Sequence, residues 1–379
     1  MGFEVAQDDY SRPRGKHAKR PQAQAQPSGV GGVFADQPMG SEKSRVVDHV
    51  RDGYHPTYPL MPPKKKRSKA KVALLIVLVA ILVMLIGLGI AVALYLNSIN
   101  GAISNKDAVE AQEVREALQA PKESPNANEK DAFYTLILGS DARDMTEASR
   151  SDVIILARIV PGEKKVTMVS IPRDTKVEIP GHGTQKINAA YAFGGASGAI
   201  EAVSSFAGVP ITHYAEIHFK ELEDLVDKLG GVWVDVPVSN DETGASNTGT
   251  RLSSGYQLLN GSQALALSRE RYGYVRGDFQ RSDNQRLVAA AIMKQVLSKP
   301  AAELPGAVQD LASTVTTDMS ATDIISLASK FQGGDMTIYS AMAPSSTATI
   351  DGVSYVISDQ AEWNAMMSRV DNGDNPQVN

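Results

Sequence analysis

Residues 153–171 decide the fold; they read VIILARIVPGEKKVTMVSI. Two apolar runs, 153–160 and 166–171, flank a Pro-Gly-Glu-Lys sequence that is typical of a hairpin turn. Similar short runs stand at 133–138, 214–219, 232–236 and 336–341, and helical patterns such as 220–229 and 281–297 lie between them. Strands that alternate with helices predict an α/β domain, a three-layer αβα sandwich around a central mixed β-sheet.

Upstream of this domain, residues 72–96 contain no charged side chain. As a helix they would be roughly 37 Å long at ~1.5 Å per residue, enough to cross a ~30 Å hydrocarbon core. Six cations precede the segment directly, and the positive-inside bias then places the N-terminus in the cytoplasm and the rest of the chain outside; they are Lys64, Lys65, Lys66, Arg67, Lys69 and Lys71. A cleaved signal peptide is the alternative, but its charged region would have to cover residues 1–71. We therefore expect a signal anchor, a single pass through the cell membrane.

Composition divides the chain into four parts. We expect a disordered basic cytoplasmic tail at 1–71, a transmembrane helix at 72–96, a linker with a short helix at 97–130, and an extracytoplasmic folded domain at 131–379. The linker is expected to give the domain freedom to move, and 241–250 is expected to be a mobile loop. Because the chain has no cysteine, disulfides, thiolate metal sites and a cysteine nucleophile are excluded.

Five arginines stand close together within residues 268–286: Arg269, Arg271, Arg276, Arg281 and Arg286. The whole chain carries −5, and residues 72–379 carry −12, so this cluster lies in an acidic domain. Guanidinium groups stay charged and fit phosphate oxygens two at a time, which indicates an anionic ligand. A solvated basic face is the alternative. A nucleic-acid partner is not expected, because that footprint is a broad basic surface on a basic domain.

Charged residues also stand where three of the predicted strands begin or end, in segments 138–143, 150–152 and 170–175. A hairpin returns the chain to the edge where it started, so Arg150 and Asp152 should lie near Arg173 and Asp174, and Asp141 can join them. Asp141 and Asp152 suggest a Mg²⁺ site, because hard cations prefer carboxylate and phosphate oxygens. Charge that merely solubilises strand ends is the alternative. The sequence contains no phosphate-binding P-loop motif and no Gly-x-Ser-x-Gly motif.

Six motifs in order resemble those of the LytR-CpsA-Psr family over about residues 131–300. They are GSDAR at 139–143, RSD at 150–152, SIPRDT at 170–175, KINAAYA at 186–192, LGGV at 229–232, and the stretch that carries Arg269, Arg271, Gly277, Asp278, Arg281 and Gln285. The resemblance implies a cell-envelope phosphotransferase. Such an enzyme takes a glycopolymer, anionic or neutral, from a polyprenyl-pyrophosphate carrier and joins it by a phosphodiester to a peptidoglycan sugar hydroxyl.

The resemblance also implies roles for individual residues. Asp141 and Asp152 match the Mg²⁺ ligands, with Mn²⁺ as the alternative ion. The residues that match those around the pyrophosphate are Arg150, Arg173, Lys186, Arg269, Arg271, Arg281 and Gln285, with Arg143 ranked lower and Arg276, Arg286 and Asp174 lower still. The family binds the lipid tail in an apolar cavity between the sheet and helices.

The expected reaction is in-line attack by a glycan hydroxyl on the phosphorus nearer the sugar, with polyprenyl phosphate leaving and Asp152 as the candidate proton acceptor. Two other functions stay open at this point: a hydrolase that uses water as the acceptor, and a non-catalytic envelope regulator or scaffold. The partners expected are the lipid-linked glycopolymer, peptidoglycan and the membrane. Many actinobacterial members have a further C-terminal domain, which we expect this chain to lack. The identity of the polymer does not follow from the sequence.

Overall fold

The structure, a computed structural model, describes residues 69–103, 108–122, 129–140, 150–240, 248–271, 274 and 276–377. The tail at 1–68, Asp141, Arg143 and most of the predicted loop at 241–250 lie outside these residues. The strands are β1 Phe133–Ser140, β2 Ser151–Val160, β3 Lys165–Ser170, β4 Lys176–Ile179, β5 Gly183–Lys186, β6 His213–His218, β7 Val232–Val236, β8 Gly255–Leu259, β9 Val315–Thr317, β10 Thr337–Met342, β11 Ser345–Ile350 and β12 Val353–Ser358. The helices are α1 Lys69–Ile103, α2 Ala108–Ala117, α3 Ala189–Ala207, α4 Phe219–Lys228, α5 Gly261–Arg269, α6 Asp278–Leu297, α7 Leu304–Ala312, α8 Ala321–Lys330 and α9 Gln360–Asp371.

A six-stranded mixed sheet forms the centre of the domain, in the order β10-β3-β2-β1-β6-β9. The predicted hairpin is present, since β2 pairs antiparallel with β3 across a short 3₁₀ turn at Pro161–Glu163. β1 pairs antiparallel with β2, and the pairs β1–β6 and β3–β10 are parallel. The mixed central sheet of the predicted sandwich is therefore confirmed.

Side chains that alternate along each strand supply two separate cores. Leu136 and Leu156 pack with α2, α3 and α9 on one face, where Trp363 is 1% exposed. Ile155 and Met168 pack with α6 and α8 on the other face. Because the strand period is two, β1, β2 and β3 are apolar on both faces, which explains their continuous apolar runs in the sequence.

Local sequence signals fix several element ends. The Asp359 side chain accepts a hydrogen bond from the backbone N–H of Glu362 and so begins α9, as the capping pattern predicts. Gly194 and Gly195 break α3, and Gly195 has a φ of 57°, a conformation that suits glycine. The apolar run at 232–236 does not join the central sheet, because it pairs with β8 in a separate two-stranded ribbon. Its valines are buried, whereas Trp233 and Asp235 are exposed.

The segment expected to be a free linker is attached to the domain. Helix α1 continues without a break to Ile103, and it belongs to the same compact unit as the rest of the described chain. Ile99 is 2% exposed against α7 and α8. Helix α2 follows and packs on α3, with Val114 2% exposed in the main core. The expectation of a freely moving tether is therefore wrong for the described residues of this region.

A buried ion pair lies at the end of the sheet opposite the strand ends that carry the motifs. Arg158 of β2 and Glu129 are 4% and 0% exposed, and an Arg158 Nη2 to Glu129 Oε2 distance of 2.7 Å joins them. Arg158 also donates to the backbone carbonyl of Asp371 at 3.0 Å. The Asp371 side chain in turn accepts a hydrogen bond from Tyr134. The last helix is thereby fastened to the first two strands.

Candidate functional site

Three strand termini bring the motif-bearing residues to one edge of the sheet. β1 ends at Ser140, β2 begins at Ser151, and β3 ends at Ser170. The register shifts between Gly139 and Ser140, and a Cβ on Gly139 would lie 2.8 Å from the Cβ of Val153, so only glycine fits this close approach. The hairpin thus places Asp152 beside Arg173, as the sequence predicts.

A chain of alternating charges runs along this edge. Arg173 donates a hydrogen bond to the Asp152 carboxylate, and Lys186 Nζ lies 3.0 Å from Asp174 Oδ1. Asp174 Oδ2 is in turn 3.9 Å from Arg173 Nε. Burial lowers the pKa of Arg173, but the hydrogen bond and charge of Asp152 outweigh burial, so the pKa is raised above its ordinary value. The guanidinium is therefore charged at every pH at which the protein is folded.

Asp278, at the start of α6, lies close to three guanidinium groups, two from its own segment and one from the end of β3. Its carboxylate oxygens lie 3.2 Å from Arg281 Nη2, 3.5 Å from Arg271 Nε and 3.7 Å from Arg173 Nη2. The arginine pattern at 269–281 and the strand-end pattern at 173 therefore belong to one cluster. Asp278 stood in the quoted motif without a role, and the signal that could have revealed it is its i, i+3 spacing from Arg281 at a helix N-terminus.

Arg271 and Arg281 of this cluster line a polar hollow of about 120 Å³, whereas Arg173 and Asp278 lie beside its wall. The residues that line it are Asp152, Phe219, Ser268, Arg269, Arg271, Arg281 and Gln285. The Arg269 guanidinium also lies 5.8 Å from the centroid of the Phe219 ring. Among the described residues, Arg173 Nε and Arg281 Nε are buried without a hydrogen-bond partner. Buried donors of this kind are costly unless they are satisfied, and an anion with several oxygens would satisfy them.

The remaining predicted residues differ in position. Gln285 donates to the backbone carbonyl of Ser268 at 3.1 Å and so fixes α6 against the end of α5. Arg276 pairs with Asp283 at 2.8 Å, and Arg286 pairs with Asp283 and with Ser170, 3.0 Å from its hydroxyl, so neither lines the hollow. Arg150 is exposed at the start of β2. The roles of Asp141 and Arg143 stay predictions, since both residues lie outside the described part.

An apolar cavity of about 230 Å³ adjoins the polar hollow. It lies between the sheet and the helices α4 and α6, where Ile137, Leu225, Val288 and Ile292 contribute to its wall. Phe219, Ser268 and Gln285 line both spaces. The two spaces are therefore adjacent, and together they suit an amphipathic ligand that has an anionic head and an apolar chain.

Among the described residues, no group of three or more His, Cys, Asp or Glu side chains is placed to hold a metal ion. The protein ligands for a divalent cation are therefore incomplete in this part of the chain. Asp152 nevertheless lines the hollow with a carboxylate. Mg²⁺ commonly takes one or two carboxylates and completes its shell with phosphate oxygens and water. The residues present are compatible with such an ion, with Asp152 as a ligand.

A polar cluster lies on the opposite face of the same sheet edge. Tyr191 of α3 donates a hydrogen bond to Glu216 of β6, and the Ser140 hydroxyl lies 2.6 Å from His218 Nδ1. Glu216 is 7% exposed. Burial raises the pKa of Glu216 above its ordinary value of 4.5 and the nearby Glu110 adds to this, while the Tyr191 hydrogen bond and His218 act in the opposite direction.

Glu216→Gln is expected to stabilise the protein at pH 7.5. The folded state holds the Glu216 proton more tightly than the unfolded state, so the carboxyl favours folding below pH 4.5, and this contribution is lost as the pH rises toward the folded-state value. Glutamine keeps an oxygen that accepts from Tyr191 and never ionises. Urea unfolding at pH 5 and 7.5 measures the effect, with the exposed Glu178→Gln as the matched control. A Glu216→Gln variant that is less stable than the wild type at pH 7.5 would contradict this account.

Fold and site together define a class: an α/β enzyme behind one apolar helix, Val77–Ala102, that is long enough to cross a membrane, with an arginine-rich hollow next to an apolar cavity. The LytR_cpsA_psr (LytR-CpsA-Psr) family model matches residues 92–372, and the chain belongs to this family. The resemblance drawn from six motifs is thereby confirmed.

Named relatives and solved structures agree with this assignment. The chain is 38% identical over 236 residues, 62% of this chain and 76% of the relative, to the polyisoprenyl-teichoic acid–peptidoglycan teichoic acid transferase TagU of Halalkalibacterium halodurans. It is 36% identical to TagU of Enterococcus faecalis over 67% of this chain and 84% of that one. The crystal structure of B. subtilis TagV superposes with a TM-score of 0.56 at 28% identity, covering 64% of this chain and 96% of that chain. A structure of TagT bound to LI-WTA gives a TM-score of 0.55 at 27% identity, covering 68% and 98%.

Asp278→Asn is expected to strengthen binding of inorganic pyrophosphate several-fold and to lower the Tm of the ligand-free protein. The Asp278 carboxylate neutralises part of the charge of three guanidinium groups. Without it the three cations repel each other, which lowers stability, and they bind an incoming anion more tightly. The Tm rise on adding pyrophosphate measures the gain. Asp283→Asn, on the same helix but paired with Arg276 and Arg286, is the control. An equal pyrophosphate response in Asp278→Asn and the wild type would refute the role given to Asp278.

Proposed function

We propose that this enzyme transfers a glycopolymer from a polyprenyl-pyrophosphate carrier to a peptidoglycan sugar hydroxyl and forms a phosphodiester. One observation carries the proposal: the arginine-lined hollow and the apolar cavity share Phe219, Ser268 and Gln285. A pyrophosphate in the hollow would place its prenyl chain directly in the cavity. The names of the TagU relatives describe transfer of polyisoprenyl-linked teichoic acid to peptidoglycan, which supports the same reaction class.

In the proposed reaction the protein positions the diphosphate and stabilises charge. Arg281, Arg271 and Arg173 donate to phosphate oxygens, and the two buried Nε donors gain partners. The acceptor hydroxyl oxygen attacks the phosphorus nearer the sugar, the bond from that phosphorus to the bridging oxygen breaks, and polyprenyl phosphate leaves. Asp152, at the wall of the hollow, accepts the hydroxyl proton. The developing negative charge of the leaving phosphate remains among the guanidinium groups.

A Mg²⁺ ion, if bound with Asp152 and Asp141, would neutralise part of the diphosphate charge. Mn²⁺ could take the same ligands. The side chains of Arg173 and Asp278 do not depend on such an ion for their placement, because they already contact each other.

We further propose that the N-terminus lies in the cytoplasm and the domain outside. The large apolar side chains along α1, from Leu74 to Leu94, are exposed on the protein and need a lipid covering. The cations at 64–71 precede them, and the domain that would act on the cell wall follows.

The test incubates the full chain with a lipid-pyrophosphate oligosaccharide, peptidoglycan fragments and Mg²⁺. The expected product is oligosaccharide covalently bound to peptidoglycan, which Asp152→Ala and EDTA should each diminish strongly. Asp235→Asn on the exposed face of β7 is the control variant and should leave transfer unchanged. Release of free sugar phosphate without attachment to peptidoglycan would replace the transferase by a hydrolase.

A further inference from the structure

The apolar cavity extends along α6 from the polar hollow toward α7. Gln285 lines its polar end, and Leu297 lines the other end of the same helix. Twelve residues separate these positions, a distance of roughly 18 Å at ~1.5 Å per residue. Leu311 of α7 and Val315 of β9 join Leu297 in the wall there. The far end of the cavity is thus formed in part by α7.

The cavity is too small for a whole polyprenyl chain. Its volume of about 230 Å³ lies below the ~300–1,000 Å³ of pockets that enclose a drug-sized ligand, and a polyprenyl carrier is longer than such a ligand. The part of the chain nearest the diphosphate can be enclosed, and the remainder must leave the cavity. The end at Leu311 and Val315 lies away from the arginines, so it is the exit that keeps the chain out of the polar hollow.

Helix α7 contacts the cavity with one face and the anchor helix with another. Val308 and Ala312, one turn apart, pack with Ile99 of α1. Tyr95 donates to Gln309 at 2.8 Å, from its hydroxyl to Oε1. At the next helix, the backbone N–H of Ala321 donates to Asn100 Oδ1 at 2.7 Å. The contact combines an apolar core with two specific hydrogen bonds, so it fixes the rotation of α1 relative to the domain.

We propose that this contact, formed by Tyr95, Ile99 and Asn100 on α7 and α8, holds the far end of the cavity against the bilayer, so that the prenyl chain passes between membrane and cavity beside α7. The inference rests on the proposed function. The exposed apolar side chains of α1 need a lipid covering, and α7 contacts the last turns of α1 through Val308 and Ala312 while its Leu311 lines the cavity. A domain on a loose tether would present the far end of the cavity to the membrane only part of the time, whereas a domain docked on α1 keeps that end at the membrane.

The test follows lipid capture rather than catalysis. The full chain is reconstituted in phosphatidylcholine and phosphatidylglycerol vesicles with a diazirine-bearing polyprenyl phosphate, and the photolabelled fraction is measured. Ile99→Asp puts a charge in the contact, and Asn97→Asp puts the same charge on the exposed face of the same turn. Ile99→Asp is expected to reduce labelling roughly fivefold or more in vesicles, as loss of a high effective concentration implies. In detergent micelles it should label as the wild type does, which also shows that its domain is folded.

A second measurement tests the contact itself. The chain has no cysteine, so a chain with Ile99→Cys and Ala312→Cys contains two thiols only, and mild oxidation should join them as a disulfide in vesicles. Absence of the cross-link, equal labelling of Ile99→Asp and wild type in vesicles, or no labelling of the wild type in either medium would each overturn the inference. If labelling depends on Ile99 and the polymer is still not transferred to peptidoglycan, the proposed function fails and the lipid path stands.

Discussion

Arg281→Ala is expected to lower the rate of polymer transfer about a thousandfold, close to 4 kcal/mol of transition-state stabilisation. Arg281 is 4% exposed, it faces the polar hollow, and its Nε has no hydrogen-bond partner among the described residues. A diphosphate oxygen would therefore be its principal partner. Because charge grows on the leaving phosphate during the reaction, the loss should appear in kcat more than in KM.

The control is Arg276→Ala on the same segment. Arg276 is an exposed arginine that pairs with Asp283 outside the hollow, so its removal should change the rate little. Arg281→Lys separates charge from geometry, since lysine keeps the charge without the fork of donors. Steady-state kinetics with a short-chain soluble donor give kcat and KM, and circular dichroism confirms folding. A folded Arg281→Ala enzyme within tenfold of wild type would remove Arg281 from the site.

Arg158→Ala is expected to cost about 3–5 kcal/mol of unfolding free energy, the largest stability effect that the structure indicates. The substitution leaves Glu129, which is 0% exposed, as a buried charge with Lys165 Nζ at 3.7 Å as its nearest remaining cation. It also removes the donor to the Asp371 carbonyl, so α9 loses its attachment to β2. We expect the Tm to fall by about 10 °C for a domain of this size.

A double variant tests the physical reason. Arg158→Met together with Glu129→Met removes both charges and keeps apolar volume, so it should recover most of the stability that Arg158→Ala loses. Lys330→Ala, which breaks the exposed pair with Asp131, should change stability by less than about 1 kcal/mol. Urea unfolding measures all four proteins. If Arg158→Ala behaves like Lys330→Ala, the pair does not fasten the last helix.

Apolar runs predicted five of the six strands of the central sheet, whereas the three-residue β9 at Val315–Thr317 was not predicted. β1, β2 and β3 are buried on both faces, so their signal is continuous. The ribbons were less visible. Residues 255–259 alternate between half-buried and exposed positions with only Leu259 buried, and the run at 232–236 looks the same in sequence whether it joins the central sheet or β8. Pairing partners depend on tertiary packing, which a local pattern does not contain.

The candidate site likewise contains residues whose neighbours could be predicted from the sequence and residues whose neighbours could not. Asp152 and Arg173 could be placed together from the hairpin alone, since an antiparallel pair fixes which residues share an edge. Local spacing could pair Asp278 with Arg281, but its contact with Arg173 and the contact of Arg286 with Ser170 join distant segments and could not be assigned. In the sequence both are simply charged residues of an arginine-rich segment. In the folded chain α6 crosses the sheet. This crossing places Asp278 among the arginines near the hollow and Arg286 against Ser170 of β3.

The parallel pairing of β3 with β10 governs the order in which the domain can be built. Lys165 faces Thr337 in this pair, so the edge of the central sheet is completed by a strand made long after the hairpin. Arg286 also needs Ser340 from that strand as a hydrogen-bond partner. During synthesis, the arginine-bearing segment must wait for residues 337–342, and contacts of long sequence separation form slowly. A nascent chain released before residue 337 would therefore lack a complete sheet, and a chimaera that exchanges residues 131–300 alone between relatives would inherit a mismatched edge strand.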